Sequence, residues 1–340
     1  MRGIRHISVI ALAVTALSLG SCTKEASVPV PQAPVLKEGE SLASFRVTHP
    51  VDRMSVSGSG DGIASLDLLV FRSSDGLLAA RERATDETEI SVAVTSGSPM
   101  DWYVIANAPS GTFSPFSDKA SFLAALTSLD QTGTTMVMHA SGTTTFTPST
   151  GTVDATLYRY ASKVTVRDIS VPWLESFATA PTCSVAAVGL VNVVGTTPWS
   201  STPTAGSSWY NRSSFDATLS SDMKEMLFWE GSVTVTPGSA ATVGKSFYAM
   251  PNPLSGGDYG SPWSARGTRI ALELLIGGAA NWYTIDLPAM EGNRHYVVNE
   301  VVIRGPGATA PDQPLDRSLV TFGVDILDWG SETKEAEFGT

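Results

Sequence analysis

The sequence predicts a mainly β chain with few short helices, divided into two domains. Charged residues are only 16% of the 340, while Gly, Pro, Ser and Thr are abundant and good helix formers scarce, a mix that suits extracellular β-structure. Apolar residues recur at period two in short segments punctuated by Gly, Pro, Asn and Asp, the pattern of half-buried strands. Once an N-terminal export signal is set aside, about three hundred residues remain, enough for two domains with cores of their own.

The signal occupies residues 1–21. Arg2 and Arg5 give a positive start, Ile7 to Leu19 an apolar stretch, and Leu19-Gly20-Ser21-Cys22 ends in small residues at a cleavage position. A thiol there accepts a diacylglyceryl group, so Cys22 is the expected lipidation site and the first residue of an exported, lipid-held chain. The apolar stretch is too short to span a bilayer as an uncleaved helix. Thr23 to Gly39, rich in Pro, Val, Ala, Lys and Glu without period, reads as a tether. Ala43, Phe45, Val47 and Val51 then alternate with Ser44, Arg46 and Thr48, and Pro50 interrupts the run, which predicts an edge strand.

Ser55 to Gly62 is loop. Leu66 to Phe71, Glu89 to Val94 and Trp102 to Ala106 read as strands, with the turn signal Ser73-Ser-Asp-Gly76 after the first and Asn107-Ala-Pro109 ending the last. A helix is expected over Lys119 to Leu129, from Phe122, Leu123, Leu126 and Leu129 at helical spacing behind a Ser117-Asp118 cap. Strands resume at Thr135 to His139, Val153 to Tyr160 and Lys163 to Ile169. Pro172 marks the boundary, giving a first domain over 54–168 and a second over 169–317. The second half repeats the habit at Cys183 to Val194, Gly231 to Thr236, Ser246 to Met250, Ile270 to Ile276, Trp282 to Leu287 and Tyr296 to Ile303. Gly195 to Ser208 and Pro251 to Gly267 read as loops too polar for a core. After Gly305-Pro-Gly307 the segment 318–340 opens with Val320, Phe322, Val324 and Ile326 on one face and Thr321, Gly323 and Asp325 on the other. No internal repeat is strong enough to argue from.

A net charge of −11 argues against nucleic acid as a partner. With Cys22 acylated, Cys183 has no disulfide partner, and its apolar setting reads as a small buried side chain. His139 and His295 each stand alone in strand-like surroundings without a ligand at metal spacing. No nucleophile elbow, phosphate loop or zinc-binding helix appears, and Gly58-Ser-Gly60-Asp-Gly62 lacks the strand-to-helix context of a dinucleotide loop. The expectation is therefore no catalytic residue, no metal and no cofactor. Trp199, Trp209 and Trp263 lie in loop-like sequence, where they either close a core or form a sugar-stacking platform; the latter would make a monomeric glycan-binding surface lipoprotein.

The pieces fall in a recognisable order: the tetrapeptide at Cys22, an alternating strand ending near Arg53, Ile63 to Phe71 with Asp75-Gly76, and Trp102-Tyr-Val-Ile-Ala-Asn-Ala-Pro109. Later come Leu157 to Val164, Ser246 to Asn252, Asn293-Arg-His-Tyr296 leading into Val302 to Gly307, and Val324-Asp-Ile-Leu-Asp-Trp329. In that order the chain resembles the fimbrillins, the lipoprotein-derived (type V) pilins of Bacteroidota. The resemblance implies two tandem β-sandwich-like (transthyretin-like) domains and a precursor held by palmitate-type lipid at the cell outer membrane. It also implies an Arg-specific protease that cuts after an arginine following the first strand, and release into an extracellular fimbrium that supports adhesion.

The cut maps best on Arg53, with Arg46 as runner-up, so residues 22–53 would be removed together with the strand carrying Phe45, Val47 and Val51. The groove left behind would take the C-terminal strand of a neighbour, with Val320, Phe322, Val324 and Ile326 entering it, by donor-strand exchange. The partners implied are other copies of the chain and other fimbrial subunits. A segment long enough to donate a strand points to a stalk subunit rather than a tip or anchor subunit.

Overall fold

The strand Ser65–Arg72 shows how sequence sets the layers. Its run Leu66-Asp-Leu-Leu-Val-Phe71 is apolar on both sides, and both faces are covered: Leu66, Leu68 and Val70 turn to one core, Leu69 and Phe71 to another. The computed structural model describes residues 35–48, 62–85, 87–129, 136–200, 208–316 and 318–329. The described residues from Leu36 onward fall in one compact unit.

In the first half the strands are β1 (Glu40–Thr48), β2 (Ser65–Arg72), β3 (Leu78–Thr85), β4 (Glu89–Thr95) and β5 (Pro99–Ala106). Helix α1 (Lys119–Ala124) follows, then β6 (Leu126–Ser128), β7 (Met138–Thr145), β8 (Val153–Thr156) and β9 (Tyr158–Arg159). They form a three-stranded sheet, β4-β1-β8, and a five-stranded sheet, β3-β2-β5-β7-β9. Ala43, Phe45 and Val47 of the first sheet share a core with Leu68, Val104 and Phe146. β1 is thus a central strand and not the expected edge, antiparallel to β4 and parallel to β8. Its last described pair is Thr48 with Thr156, and the proline that suggested an edge lies outside the described residues. The expected helix to Leu129 stops at Ala125, which turns to extended backbone, because Leu126–Ser128 pairs with Thr196–Pro198. Its cap is as expected: Asp118 accepts from the Ser121 N–H at 2.8 Å.

The second half runs β10 (Ser162–Ser170), a 3₁₀ turn at Pro172–Ser176, β11 (Cys183–Val191), β12 (Val193–Val194), β13 (Thr196–Pro198) and β14 (Trp209–Tyr210). Then come α2 (Ser221–Leu227), β15 (Phe228–Thr234), β16 (Ala241–Ala249), β17 (Arg269–Ile276), β18 (Ala279–Asp286), β19 (Arg294–Ile303) and β20 (Val320–Asp328). Two four-stranded sheets result, β16-β10-β19-β20 and β15-β11-β17-β18. Val164, Val166, Val298 and Val301 of one and Val185, Leu272 and Leu274 of the other line a common core. β10, which a boundary at Pro172 leaves with the first half, hydrogen-bonds with β16 and β19. Helix α2 has no counterpart in the sequence reading, although Met223, Met226 and Leu227 are its buried residues and Ser220 caps it. The fold is mainly β, as expected.

Candidate functional site

β1 is built to fill a slot. Phe45 is wholly buried, its ring 4.9 Å from that of Trp102 and 5.9 Å from that of Phe146, an aromatic layer closed by Ile90 opposite it on β4. Ala43 and Ser41 are fully buried in the next layers and Val47 nearly so. On the outward side Arg46 donates to Glu89 at 2.8 Å; that hydrogen bond, aided by the carboxylate charge, raises the pKa of the guanidinium. The backbone of β1 is paired on both sides from Phe45 through Arg46. Arg46 therefore sits where a protease, which needs an extended free backbone, has no access.

β20 is treated differently. It closes one edge of its sheet, pairing with β19 alone. Val320 is buried and Val324 half-buried against the larger core, but Phe322 and Ile326 are 38% and 52% exposed, and Leu327 38%. An edge strand with a bare apolar row is a template for a further chain. The four apolar residues of β20 and the inward residues of β1 do not share a core.

Strand β20 is anchored on both sides. Downstream, Trp329 is 4% exposed, stacks on Tyr248 at 5.6 Å and lies under the Arg159 guanidinium at 4.5 Å. Its N–H donates to the Asn293 carbonyl at 3.0 Å, and Asp328 pairs with Arg294. Upstream, Asp312 is buried between two arginines. Arg269 donates to it at 2.6 Å and Arg266 lies 3.6 Å away. Burial alone would lower the Arg269 pKa, but hydrogen bonds to Asp312 and Asp286 outweigh it and the pKa is raised. Neither anchor emerges from the sequence reading; the only sequence signal is Trp329 at the end of the alternating run.

The remaining candidates have structural places. Cys183 is buried in β11 and its thiol is pushed up to about 11 by burial. His139 lies 4.3 Å from the Tyr160 ring and His295 shares a 2.7 Å hydrogen bond with the Thr165 hydroxyl; burial lowers them to about 4 and about 3. Trp199 is a core residue packed edge-on to Phe113 and Tyr160, which corrects the start of the polar-loop reading of Gly195 to Ser208; residues 201–207 lie outside the described residues. Trp209 and Trp263 pack on each other at 5.4 Å, and Trp263 donates to Asn192 at 2.9 Å. The three indoles thus form no common platform. Among the described residues no group of His, Cys, Asp and Glu is placed to hold a metal. Cys22, Val51, Arg53 and the segment after Trp329 lie outside the described residues.

Stacked mixed sheets, an N-terminal strand filling a slot and an under-covered C-terminal edge define a β-rich protein of sandwich-like build. Residues 51–188 match the model of the major fimbrial subunit protein family (FimA), and the fimbrillin resemblance read from the sequence is borne out. Among solved structures the chain is similar to a candidate cell adhesion protein of Parabacteroides distasonis (TM-score 0.59, 14% identity, 87% of this chain and 99% of that one). It is similar also to one of Bacteroides eggerthii (0.58, 17%, 88% and 98%) and to a fimbrilin of Porphyromonas gingivalis (0.56, 12%, 85% and 97%). At these identities the likeness speaks for the fold. No curated protein matches the chain in sequence. The family match supports a fimbrial structural role at the cell surface; it includes neither β1 nor β20.

Proposed function

We propose that this chain is the lipidated precursor of a fimbrial stalk subunit, exported through Cys22, cut after Arg53, and polymerised by strand exchange to support adhesion. The two sandwich-like domains divide in this reading between β9 and β10, near residues 160–161. One observation carries it: the N-terminal strand occupies the middle of a sheet, so its removal unpairs the facing edges of β4 and β8 and uncovers an aromatic-lined core in one step. A C-terminal strand with a period-two apolar row, held at an exposed edge, is a fitting replacement. The Trp platform of the glycan-binding alternative has lost Trp199 to the core.

The test is to incubate purified precursor with an Arg-specific protease and look for ladders that resist detergent at room temperature, then sequence their N-termini. The expected first residue is Met54; a start at Cys22 would point to an anchor or a monomeric lipoprotein. Cys22→Ala should abolish fatty-acid labelling in cells and surface delivery, and label persisting in that variant would sink the lipid assignment.

A further inference from the structure

β1 and β20 share more than an alternating pattern. Ser41-Leu-Ala-Ser-Phe-Arg-Val-Thr48 and Ser318-Leu-Val-Thr-Phe-Gly-Val-Asp325 align without a gap, with identical Ser, Leu, Phe and Val at four of eight positions. Ala43 and Ser44 are matched by the related Val320 and Thr321. The inward row of β1, Ser41, Ala43, Phe45 and Val47, corresponds to Ser318, Val320, Phe322 and Val324. Both strands are nine residues long, and the register shift in the β19–β20 ladder places the extra residue in β19, so β20 keeps a regular phase.

Resting on the strand-exchange reading above, we infer that the C-terminal segment of a second copy enters the β1 slot in one register, set by this repeat. Phe322 replaces Phe45, and the incoming strand runs as β1 does, parallel to β8 and antiparallel to β4. The slot itself argues for that register. Its only aromatic-sized place is at Phe45, between Trp102 and Phe146, and Phe322 is the only ring among the eight residues. A slip of one residue turns Thr321 and Gly323 inward and the apolar row outward. A slip of two puts the Phe322 ring where Ala43 or Val47 stands and a valine in the aromatic place, crowding one layer and leaving a void in the other.

The outward row gives an independent handle. Arg46 stands opposite Glu89 on β4 and Asp154 on β8, and its counterpart is Gly323, so the exchanged strand leaves those carboxylates without their cation. A Cβ added at Gly323 meets nothing within 4 Å in its own subunit.

The register is read by cross-linking in trans. Ser44 lies opposite Ser91, so a full-length Ser91→Cys chain mixed with a Thr321→Cys chain, cut with an Arg-specific protease and oxidised, should give disulfide-linked ladders. Leu319→Cys and Gly323→Cys, the positions two residues away, should lose that link. Gly323→Arg should make ladders dissociate several-fold more slowly in detergent, with the gain lost in a Glu89→Gln acceptor. Ladders that cross-link best through position 319 or 323 overturn the register while leaving strand exchange intact. Absence of ladders from the unmodified protein overturns strand exchange, and the register with it.

Discussion

β1 and β20 are both nine-residue strands with apolar side chains at period two, yet the molecule treats them in opposite ways. β1 is paired on both edges and buries every inward side chain; β20 is paired on one edge and leaves Phe322, Ile326 and Leu327 more than a third exposed. The first holds a core closed, and the second adds little to the core beneath it beyond Val320 and Val324. A strand's worth to its own fold is decided by the neighbours available to it, not by its alternation.

The comparison can be broken most sharply at its ends. Truncation after Leu315 should leave a folded, protease-cleavable subunit that forms no ladders, whereas truncation before Met54 in expression should yield protein that aggregates or captures strands. Circular dichroism with a polymerisation assay separates the two; a well-folded truncation at Leu315 that still assembles would refute the role given to β20. Side chains come next. Phe45→Ala should cost about 3–5 kcal/mol in denaturant unfolding of the precursor, as a large buried ring is lost from a closed layer. Phe322→Asp should leave precursor stability within about 0.5 kcal/mol, yet block assembly, since a carboxylate in the aromatic place costs several kcal/mol unless paired. Equal destabilisation by the two changes would erase the distinction.

Trp329→Ala sharpens it further. Loss of the contacts to Tyr248 and Arg159 should free the end of β20, seen as faster amide exchange along Val320 to Asp328 with β1 unchanged, and as faster polymerisation once cleaved. Acid should act in the same direction and more weakly. His295 lies opposite Leu327 of β20 and is held neutral by burial, with a pKa near 3 against an ordinary 6.5. Its contribution is present above about pH 6.5 and is lost as pH falls toward 3, because the unfolded chain takes the proton first. Protection factors in β20, corrected for the intrinsic slowing of amide exchange in acid, should therefore fall between pH 6.5 and 4, and His295→Gln should flatten that dependence.

Much of this was legible in the sequence, for reasons that mark where legibility stops. The apolar alternations at β1 and β20 and the continuous run at β2 depend on side chains a few residues apart, and periodicity reports them. The end of α1 does not: Leu126 and Leu129 keep helical spacing, but Leu126–Ser128 takes Thr196–Pro198 as a partner from far along the chain. Pro50 suggested an edge strand, but a proline near a strand's end says nothing of which strands flank β1, and two of them do. Trp199 sits in polar sequence and packs in the core because distant aromatics, Phe113 and Tyr160, come to it. The arginines around Asp312 are likewise distant in sequence. The match between Ser41–Thr48 and Ser318–Asp325 was on view throughout, but eight residues fall below the scale at which repeats build architecture and become meaningful only beside the slot.

Asp312, gripped by Arg266 and Arg269 through contacts that involve no residue of β20, sets a leash. From it to Val320 the chain has eight peptide steps, which fully stretched reach roughly 26–29 Å. A strand that swings out under strand exchange is thereby confined to a radius of about one small domain, so its acceptor must stand directly against the donor. Neighbouring subunits joined this way would be held no further apart than that reach allows, with the buried carboxylate of Asp312 as the fixed end of the tether.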